Sequence, residues 1–496
     1  MKNKLLIICL AGVMLLSCQD DFLTIVPETS LSSATFFTKE ADLVQAVNAA
    51  YVPLRSIVND RAWLLGEMHS DNTYYARNVL FGATEQQEDI ADFAIPTANG
   101  VTSNTHVLNQ YRLDYQIIAR TNQILSSIDE VEFKAETKNN VKGQAYFLRA
   151  YAYFELVRYF GSVPLHLEPV TGRQDAALPL STATEIYAQI VSDAQQAAAL
   201  LPVKSSQELG RATSGAAKTL LADAYIQQKK WGEAESLLLE VTSSNEYALI
   251  EDYANVFSTS TGNKNNTESV FEVQFLEGSA GLNGNFIYNF LPRPISPVEI
   301  APITGTSNPQ PLDGEGNNIP TPDIIAAYED GDERENASIG YVTLSGSFRD
   351  NKVYPYIKKF AKPHSLHNNH GTNWPIYRYS EVLLLLAEAL NEQGKDGSLY
   401  LNLVRKRAGL ADAQGDMREA IYQERRVELA FENKRWFDLV RTGRAVEVIT
   451  AYGARIKANP TDYYYPGSAK PRSHVFTNLD LFYALPADEA ALTPYF

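Results

Sequence analysis

The sequence predicts a mostly α-helical protein, in which paired helices form a scaffold and an irregular, loop-rich region carries a few short strands. Two observations predict this fold class. Apolar side chains recur at a helical spacing of three or four residues through much of 40–256 and again through 376–496. Between these regions, residues 257–375 are rich in Gly, Asn, Thr and Pro, which favour turns and loops. We expect residues 40–496 to form one globule.

The first eighteen residues, MKNKLLIICLAGVMLLSC, have the pattern of an export signal. Lys2 and Lys4 precede an apolar run over 5–16. This run is shorter than the about 20 residues of a membrane-spanning helix, so a cleaved signal peptide is predicted over 1–17. The final LLSC resembles a bacterial lipobox, which predicts that Cys18 carries lipid.

The alternative is an ordinary signal peptide with a cysteine near its cleavage point. The chain has two cysteines, Cys9 and Cys18, and cleavage removes the first of them. Cys18 then has no partner thiol, which favours acylation. Because several acyl chains anchor a protein firmly, residues 18–39 are predicted to be a lipid anchor and tether.

The chain is acidic, which argues against nucleic acid as a partner. Its formal net charge is −16, and loss of Lys2 and Lys4 with the signal peptide takes it to −18. Phosphate backbones are bound through clusters of Lys and Arg. We therefore expect no nucleic-acid binding.

Helical periodicity defines the two scaffold regions in more detail. Helices are predicted at 40–58, 103–130, 136–160, 183–200, 213–229, 231–243, 378–393, 398–408 and 416–442. Strand-like runs occur at 269–275 and 353–360, and the tail after the last helix is predicted to be loop.

The helix over 136–160 is dense in aromatic residues and apolar nearly all round, so it is predicted to be buried on several sides. It is expected to stop at Gly161, because helices commonly end at a glycine. Arg149, Glu155 and Arg158 then need partners, since an unpaired buried charge is costly.

Two helix pairs resemble tetratricopeptide units. AAKTLLADAYIQQKKWGEAESLLLEV at 216–241 combines small residues that permit close helix approach with Tyr225 and Trp231, which can fill the groove. SEVLLLLAEALNEQGKDGSLYLNLVRKRAGL at 380–410 repeats the pattern. Both matches are partial.

Four motifs together resemble the SusD/RagB family of surface lipoproteins of Gram-negative bacteria. They are GQAYFLRAYAYFELVRYFGSVPL (143–165), YRYSEVLLLLAEALNE (377–392), YLNLVRKRAGL (400–410) and ERRVELAFENKRWFDLVRTG (424–443). The resemblance implies a protein on the outer face of the outer membrane. It also implies that the protein captures a nutrient, usually a glycan, and hands it to a TonB-dependent, SusC-like barrel.

The last motif departs from the family pattern, because Asn433 stands where the family usually has Gly. Asn also tolerates a left-handed backbone, so a helix break there is compatible with the sequence. The family tail usually ends in Asn-Pro, where this chain has Thr493 and Pro494.

Charged residues in the last motif follow one another at helical spacing. The predicted ion pairs are Arg425/Glu428, Glu432/Arg435 and Asp438/Arg441. Neighbouring cations keep such acids ionised, whereas a general acid needs a raised pKa. The pattern therefore favours a structural role over a catalytic one.

Two segments combine aromatic rings, which can stack on sugars, with side chains that can hydrogen-bond hydroxyls. Within WLLGEMHSDNTYYARN and LNGNFIYNFLPRP, the predicted ligand-binding residues are Trp63, Asp71, Asn72, Tyr74, Tyr75, Arg77, Asn285, Phe286, Tyr288 and Arg293, with Asn283 and Asn289 beside them. The alternative is that these aromatic residues pack their own loops.

Two further loops resemble metal sites only weakly. HSLHNNH places His364, His367 and His370 in a polar loop, but no nearby Cys or Asp completes a ligand set, so solvated histidines are expected. DGEGNN at 313–318 lacks the alternating acids of a calcium loop and is expected to be a turn. We predict no metal and no cofactor, and phosphate-loop, GxSxG and HExxH motifs do not occur.

The sequence thus predicts a lipid-anchored protein that captures an oligosaccharide and delivers it to a transporter barrel, without enzymatic activity. A helical-repeat scaffold that binds a protein or peptide is the alternative. A lipid-anchored glycosidase is a further one.

Overall fold

Helix pairs dominate the computed structural model, which describes residues 37–76, 85–259, 264–314, 316–345, 351–463 and 479–495. Cys18 and Arg77 lie outside the described residues. Among the described residues, no helix is both long enough and apolar enough to cross a membrane.

The N-terminal helical region follows the predicted elements closely. Its main helices are α1 (Glu40–Asn59), α3 (Thr105–Ser127), α4 (Ala135–Phe160), α6 (Ala183–Leu200), α7 (Ser214–Gln227) and α8 (Trp231–Ser243). Shorter elements between them are β1 (Thr73–Ala76), α2 (Glu85–Ala91), β2 (Val101–Thr102), β3 (Val163–Pro164), α5 (Arg173–Ala176) and β4 (Leu180–Ser181).

Polar caps fix where several of these helices begin. Asn104 accepts hydrogen bonds from the backbone of the first turn of α3, and Thr182 forms a capping box with Glu185 at α6. The aromatic helix α4 stops at Gly161, whose φ of 73° is readily adopted by glycine. The C-terminal end of α4 therefore follows from local chemistry.

The buried charges of α4 are paired, as predicted. Arg149 donates two hydrogen bonds of 2.8 Å to Asp193 of α6, and Arg158 is paired with Glu155. Around them α4 packs against α3 and α6, and α6 packs against α7. Each helix thus contacts its neighbours in sequence, as expected for a helical-repeat scaffold.

The loop-rich region contains short two-stranded sheets. Its elements are β5 (Ser269–Val273), α9 (Pro297–Thr304), β6 (Gly316–Pro320), α10 (Pro322–Ile325), α11 (Glu333–Ser338), β7 (Ile339–Leu344) and β8 (Lys352–Ile357). β7 and β8 form an antiparallel pair in which Ile339 faces Ile357, and β6 pairs antiparallel with β1. The turn expected at 313–318 is therefore wrong for Gly316–Asn318, which belong to β6.

The C-terminal helical region returns to the scaffold. It contains β9 (Trp374–Arg378), α12 (Tyr379–Asn391), α13 (Ser398–Arg407), α14 (Met417–Glu428), α15 (Arg435–Arg441), α16 (Ala445–Ala458), β10 (Leu485–Pro486) and α17 (Ala487–Ala490). α12 packs against α8 as well as α13 and α14, so the two tetratricopeptide-like pairs pack against each other. The mostly α-helical fold class is confirmed.

Two predictions for this region are wrong. The helix predicted over 416–442 is split into α14 and α15, because Phe431 and Asn433 adopt φ values of 69° and 60°. The tail, predicted as loop, contains α16, whose buried residues include Ile449, Tyr452 and Ile456.

Two of the three predicted charge pairs are wrong. The helix break separates Glu432 from Arg435, whereas Arg425 and Glu428 share α14 but each binds partners on other elements. Only Asp438 and Arg441 pair as expected, at 2.7 Å. Arg425 pairs instead with Asp438 and Glu381, Glu432 with Arg378 and Lys359, and Arg435 with Asp71.

Glu432 belongs to a buried ion network that joins the loop-rich region to the C-terminal helices. Arg378 contacts Glu268, Glu428 and Glu432 at 2.6 to 2.8 Å. Burial opposes ionisation of Glu428, but Arg407 and Arg378 outweigh it and hold its pKa well below the usual value. The predicted structural role of these charges agrees with this geometry.

Candidate functional site

The first predicted ligand segment lies inside the protein. Trp63 sits in a 3₁₀ turn, where its indole Nε1 donates to the carbonyl oxygen of Val58 at 3.1 Å. Tyr74 and Tyr75 lie on β1, and all three side chains are at most 1% exposed. Stacking on a sugar needs an open ring face, which these rings lack. They pack inside the protein, partly against segments distant in sequence such as Phe290.

The second segment supplies both buried rings and surface polar groups. Phe286 and Tyr288 belong to a 3₁₀ helix and are at most 1% exposed. The hydroxyl of Tyr288 is 2.6 Å from His364 Nε2. Asn285 and Arg293 flank this helix and are half-buried, so they are the members of this segment that reach the surface.

The two segments meet, although they are more than 200 residues apart. Asn59, at the end of α1, donates to the carbonyl oxygen of Asn283 and accepts from the backbone N–H of Asn285, both at 3.1 Å. Below this link the rings of Trp63 and Phe290 pack edge to face, with centroids 4.7 Å apart. We call the buried cluster of Trp63, Phe286, Phe290, Phe360 and Trp374 the aromatic floor.

Amide side chains form a surface rim above the aromatic floor. We call Asn59, Asn283, Asn285, Asn308 and Asn368 the amide rim. Asn283 donates to the carbonyl oxygen of Asn368 at 3.3 Å, and the side chain of Asn308 accepts from the backbone of His367 at 2.8 Å. Within the described residues, Oδ1 of Asn285 is buried and has no hydrogen-bond donor. Amides offer both donors and acceptors, which suits sugar hydroxyls.

The histidine loop supports this rim and is not the solvated loop that was expected. His364 and His370 are buried, and only His367 is half-exposed. Burial and nearby His364 lower the pKa of His370 well below its usual value, so this imidazole is neutral. Across the part of the chain that the structure describes, no group of three or more His, Cys, Asp or Glu side chains forms a metal site.

Asp71 and Asn72 bind the C-terminal helices. Arg435 donates to both carboxylate oxygens of Asp71, at 2.7 and 3.0 Å, and Arg426 Nε donates to the side-chain oxygen of Asn72 at 3.0 Å. Burial would raise the pKa of Asp71, but Arg435 and Arg426 outweigh it and lower the pKa to about 2. Asp71 is therefore ionised at neutral pH.

An open cavity of about 350 Å³ lies along α3. We call it the aromatic cleft. Its lining includes Tyr111, Tyr115, Pro164, His166, Leu178 and Leu492. The Tyr115 hydroxyl donates to the carbonyl oxygen of Pro164 at 2.6 Å, which fixes the ring. The volume lies within the range of ligand pockets, about 300–1,000 Å³.

Charged groups at the edge of the aromatic cleft add polar contacts. Arg112 is about half-exposed, and its Nε donates to Glu489 at 2.6 Å. Tyr111 and Tyr115 lie in the helix predicted over 103–130, where helical spacing marks them only as apolar positions. Two tyrosines one turn apart are a signal for a platform, but their exposure depends on loops distant in sequence.

Family models match most of the chain. The family described as "SusD family" matches residues 328–489, and the family described as "Starch-binding associating with outer membrane" matches residues 21–226. The chain belongs to the SusD/RagB family. The four motifs recognised in the sequence lie within the two matched ranges.

Relatives within the SusD/RagB family are similar over nearly their whole length. SusD-like protein P25 of Formosa agariphila is 26% identical, and the match covers 87% of this chain and 88% of the relative. A SusD-like protein of Bacteroides ovatus is also 26% identical, with 89% and 82% covered. The resemblance therefore spans both helical regions and the loops between them.

Solved structures of SusD-like proteins have the same fold. A laminarin-binding SusD-like protein is 25% identical, with a TM-score of 0.74 over 92% of this chain and 98% of that chain. Surface glycan-binding protein A from Bacteroides uniformis is 23% identical, with a TM-score of 0.75 over 92% and 99%. At this lower identity the second likeness shows the fold alone.

One carboxyl of this SusD/RagB-family chain has a pKa suited to acid–base chemistry. Burial raises the pKa of Glu67 to about 7, although its carboxylate accepts backbone N–H groups of Phe431 at 3.1 Å and Asn433 at 2.9 Å. The side chain is completely buried, so a substrate cannot reach it. Its contacts indicate that Glu67 holds the break between α14 and α15.

Proposed function

We propose that the chain is a lipid-anchored glycan-binding protein, which captures an oligosaccharide at the cell surface and passes it to a TonB-dependent outer-membrane transporter. Membership of the SusD/RagB family over nearly the whole chain carries this proposal. The export signal and the lipobox-like LLSC motif support an anchor at Cys18. Because one structural relative is described as laminarin-binding, laminarin is a suitable first probe.

We propose the aromatic cleft as the surface on which sugar rings stack. Tyr115 is half-buried and fixed by its hydrogen bond to Pro164, so a sugar would meet a rigid platform. Arg112 and Glu489 lie where they can bond sugar hydroxyls. The cleft thus combines an apolar wall with a few polar groups, as small-ligand sites do.

The sequence-predicted residues remain a second proposed contact. Asn285 and Arg293 are its half-buried polar members, and the aromatic floor would hold them in position from beneath. Arg77 stays part of this proposal. Contact through this surface would use hydrogen bonds and not ring stacking, because the rings below it are closed off.

Gel retardation by laminarin tests both surfaces. We expect the mature chain to be retarded, and Leu492→Arg to reduce retardation by blocking the aromatic cleft. Leu492 is 66% exposed, so this change should leave the fold intact. Asn285→Ala and Arg293→Ala test the second proposed contact, and Tyr341→Ala, an exposed tyrosine on β7, is the matched control.

The outcomes separate the two surfaces. Loss of retardation only in Leu492→Arg supports the aromatic cleft, whereas loss only in the Asn285 and Arg293 variants supports the second proposed contact. If the chain binds none of the glycans in a panel, the alternative function is favoured, in which a helical scaffold binds a protein or peptide. Cleavage of a glycan, abolished by changing one carboxylate, would overturn the binding-only role.

Delivery to a transporter is tested separately. We expect a SusC-like barrel to co-purify with the anchored chain from outer membranes solubilised in mild detergent. A stable contact of this kind buries more than about 1,000 Å². Purification of the chain alone under conditions that keep other lipoprotein complexes intact would contradict this part of the proposal.

A further inference from the structure

A second cavity, of about 260 Å³, opens beside Asp71 where α14, α15 and α16 meet. We call it the arginine pocket. Its charged and polar lining consists of Asp71, Glu419, Tyr422, Gln423, Arg426, Arg435, Arg444, Glu447 and Arg455. It is distinct from the aromatic cleft, whose lining shares none of these residues.

The base of the arginine pocket carries more positive than negative charge. Arg435 binds Asp71 through two hydrogen bonds, and Nη2 of Arg426 lies 2.8 Å from the same carboxylate. These three side chains are at most 14% exposed. One carboxylate thus faces two guanidinium groups, which leaves one positive charge uncompensated among these three groups.

Arg426 has unused hydrogen-bonding capacity at this point. Within the described residues, its buried Nη2 has no acceptor in hydrogen-bonding geometry, although Asp71 lies nearby. Burial lowers the pKa of Arg426 to about 10, despite the attraction of Asp71. An additional anion would compensate this charge, because a buried cation is costly unless it is paired and hydrogen-bonded.

The rim of the arginine pocket is electrically mixed. Arg444 pairs with Glu419 at 2.9 Å and lies over the ring of Tyr422, and Arg455 pairs with Asp323. Glu447 adds an exposed carboxylate. These acids repel a small, highly charged anion that enters the pocket, whereas hydroxyl groups can donate hydrogen bonds to them.

A sugar with one carboxylate matches both parts of the pocket. Its carboxylate would accept hydrogen bonds from Arg426 at the base, and its hydroxyls would contact Glu419, Gln423 and Glu447 at the rim. The volume lies just below the about 300 Å³ at which pockets for drug-sized ligands begin, so it suits a single sugar unit. Arginine is well suited to bind carboxylates through paired N–H groups.

We propose that the arginine pocket binds the carboxylate of a uronic acid, as one unit of an acidic glycan. This inference rests on the proposed glycan-binding function and adds the charge class of the cargo. It assigns Arg426 to the carboxylate and the rim acids to the hydroxyls.

Calorimetric titration of the mature chain with D-glucuronate, D-glucose and inorganic sulfate tests the assignment. We expect glucuronate to bind and glucose to give no heat above dilution. Arg426→Gln should weaken glucuronate binding about tenfold or more, since a hydrogen bond to a charged group is lost. Arg418→Gln removes the same charge at an exposed pair with Glu392 and should have no effect.

Arg444→Gln provides a second test at a half-exposed position, where loss of the pair with Glu419 should change stability little, because exposed ion pairs contribute little to it. We expect it to weaken binding several-fold, and circular dichroism of both variants checks folding. Equal binding of glucose and glucuronate would overturn the inference. It would also be overturned if Arg426→Gln and Arg444→Gln both left the affinity for glucuronate unchanged. Sulfate that binds as tightly as glucuronate would replace it with a simple anion site.

Failure of this inference can be distinguished from failure of the proposed function. If laminarin retards the chain but glucuronate does not bind, glycan capture is supported and only the assignment of an acidic cargo is rejected. If neither laminarin nor any other glycan binds and glucuronate gives no heat, both fall together.

Discussion

Arg378 ties three buried acids to one position between the loop-rich region and the C-terminal helices. Its guanidinium donates to Glu268, Glu428 and Glu432 over 2.6 to 2.9 Å, and its side chain is 3% exposed. Removing one partner from such a network leaves charges buried without compensation, which costs more than the intact network contributes. The fold therefore depends on the complete set.

Arg378→Met should lower the free energy of unfolding by about 3–5 kcal/mol, because three carboxylates lose their shared partner. Urea denaturation measures this change. Arg418→Gln, at an exposed pair with Glu392, should change it by less than about 1 kcal/mol. Similar values for the two variants would contradict a structural role for the network.

His69 and Glu67 respond to pH in opposite directions. Burial lowers the pKa of His69 to about 4, although its ring Nδ1 is 2.8 Å from the carbonyl oxygen of Ile90. The unfolded chain therefore binds this proton first, and the stability due to neutral His69 is lost as pH falls from about 6.5 to 4. Glu67, with its pKa raised to about 7, binds its proton first in the folded state, so its contribution rises as pH falls from 7 to 4.5.

His69→Gln isolates the histidine contribution. At pH 7 we expect the unchanged protein to have a higher free energy of unfolding than the variant. At pH 4 this difference should be smaller. The difference should narrow by about 3 kcal/mol, because burial lowers the pKa of His69 from 6.5 to about 4. Chemical denaturation at several pH values checks this, and a gap independent of pH would contradict it.

Residue type alone could not distinguish aromatic rings on which a sugar can stack from aromatic rings buried in the core. Trp63, Tyr74 and Tyr288 have the rings that a sugar site needs, yet each is covered by segments distant in sequence. Tyr115 has the same chemistry and lines an open cleft. What differs is the position of other loops, which local sequence does not encode.

At the level of elements, the break between α14 and α15 determines where the charges of the last motif point. Phe431 and Asn433 both have positive φ, and the backbone N–H groups of both donate to Glu67. The Asn433 side chain also donates to the Tyr159 hydroxyl at 2.9 Å. The break is thus held from two other elements of the N-terminal region.

Substitutions at Asn433 test this geometry. Asn433→Ala should lower the free energy of unfolding by about 1–2 kcal/mol. A left-handed backbone is unfavourable for alanine, and the hydrogen bond to Tyr159 is lost. Asn433→Gly should cost less, because glycine adopts positive φ without a steric penalty. Thermal denaturation ranks the two variants, and an equal or greater loss for glycine would contradict the argument.

Periodicity predicted most of the long helices to within a few residues, because their apolar faces are continuous. It failed for the helix over 416–442, whose pattern continues through a backbone break that only Asn433 marks. It also failed for α16, although Ile449, Tyr452 and Ile456 lie at helical spacing. The signal was present there, but the prediction treated the whole tail as loop.

At the scale of the whole molecule, residues near the two ends of the described chain are joined. β2 pairs in parallel with β10, and the Tyr483 hydroxyl donates to the carbonyl oxygen of Leu65 at 2.7 Å. One continuous group of buried apolar side chains runs from Leu43 to Tyr483. Such pairings join residues that no local pattern connects, so the sequence predicted the helix pairs but not how distant segments meet.

The proposed lipid anchor at Cys18 would determine where the whole molecule resides. Cys18→Ala should move the protein from the membrane fraction to the soluble fraction, because the acyl chains supply the membrane affinity. Detergent phase partitioning of cell extracts measures the change. A Cys18→Ala protein that still partitions with the membrane would contradict lipid attachment at this residue.

The contacts of Glu67 and Asp71 have a consequence for the order in which the chain can fold. Both acids are synthesised early, but their partners Phe431, Asn433 and Arg435 follow some 360 residues later. During synthesis the first helices therefore exist for a time without the groups that satisfy these two acids. A chain interrupted before α15 should accordingly be sensitive to proteases even in its N-terminal helices, and completion of the last motif should protect both ends together.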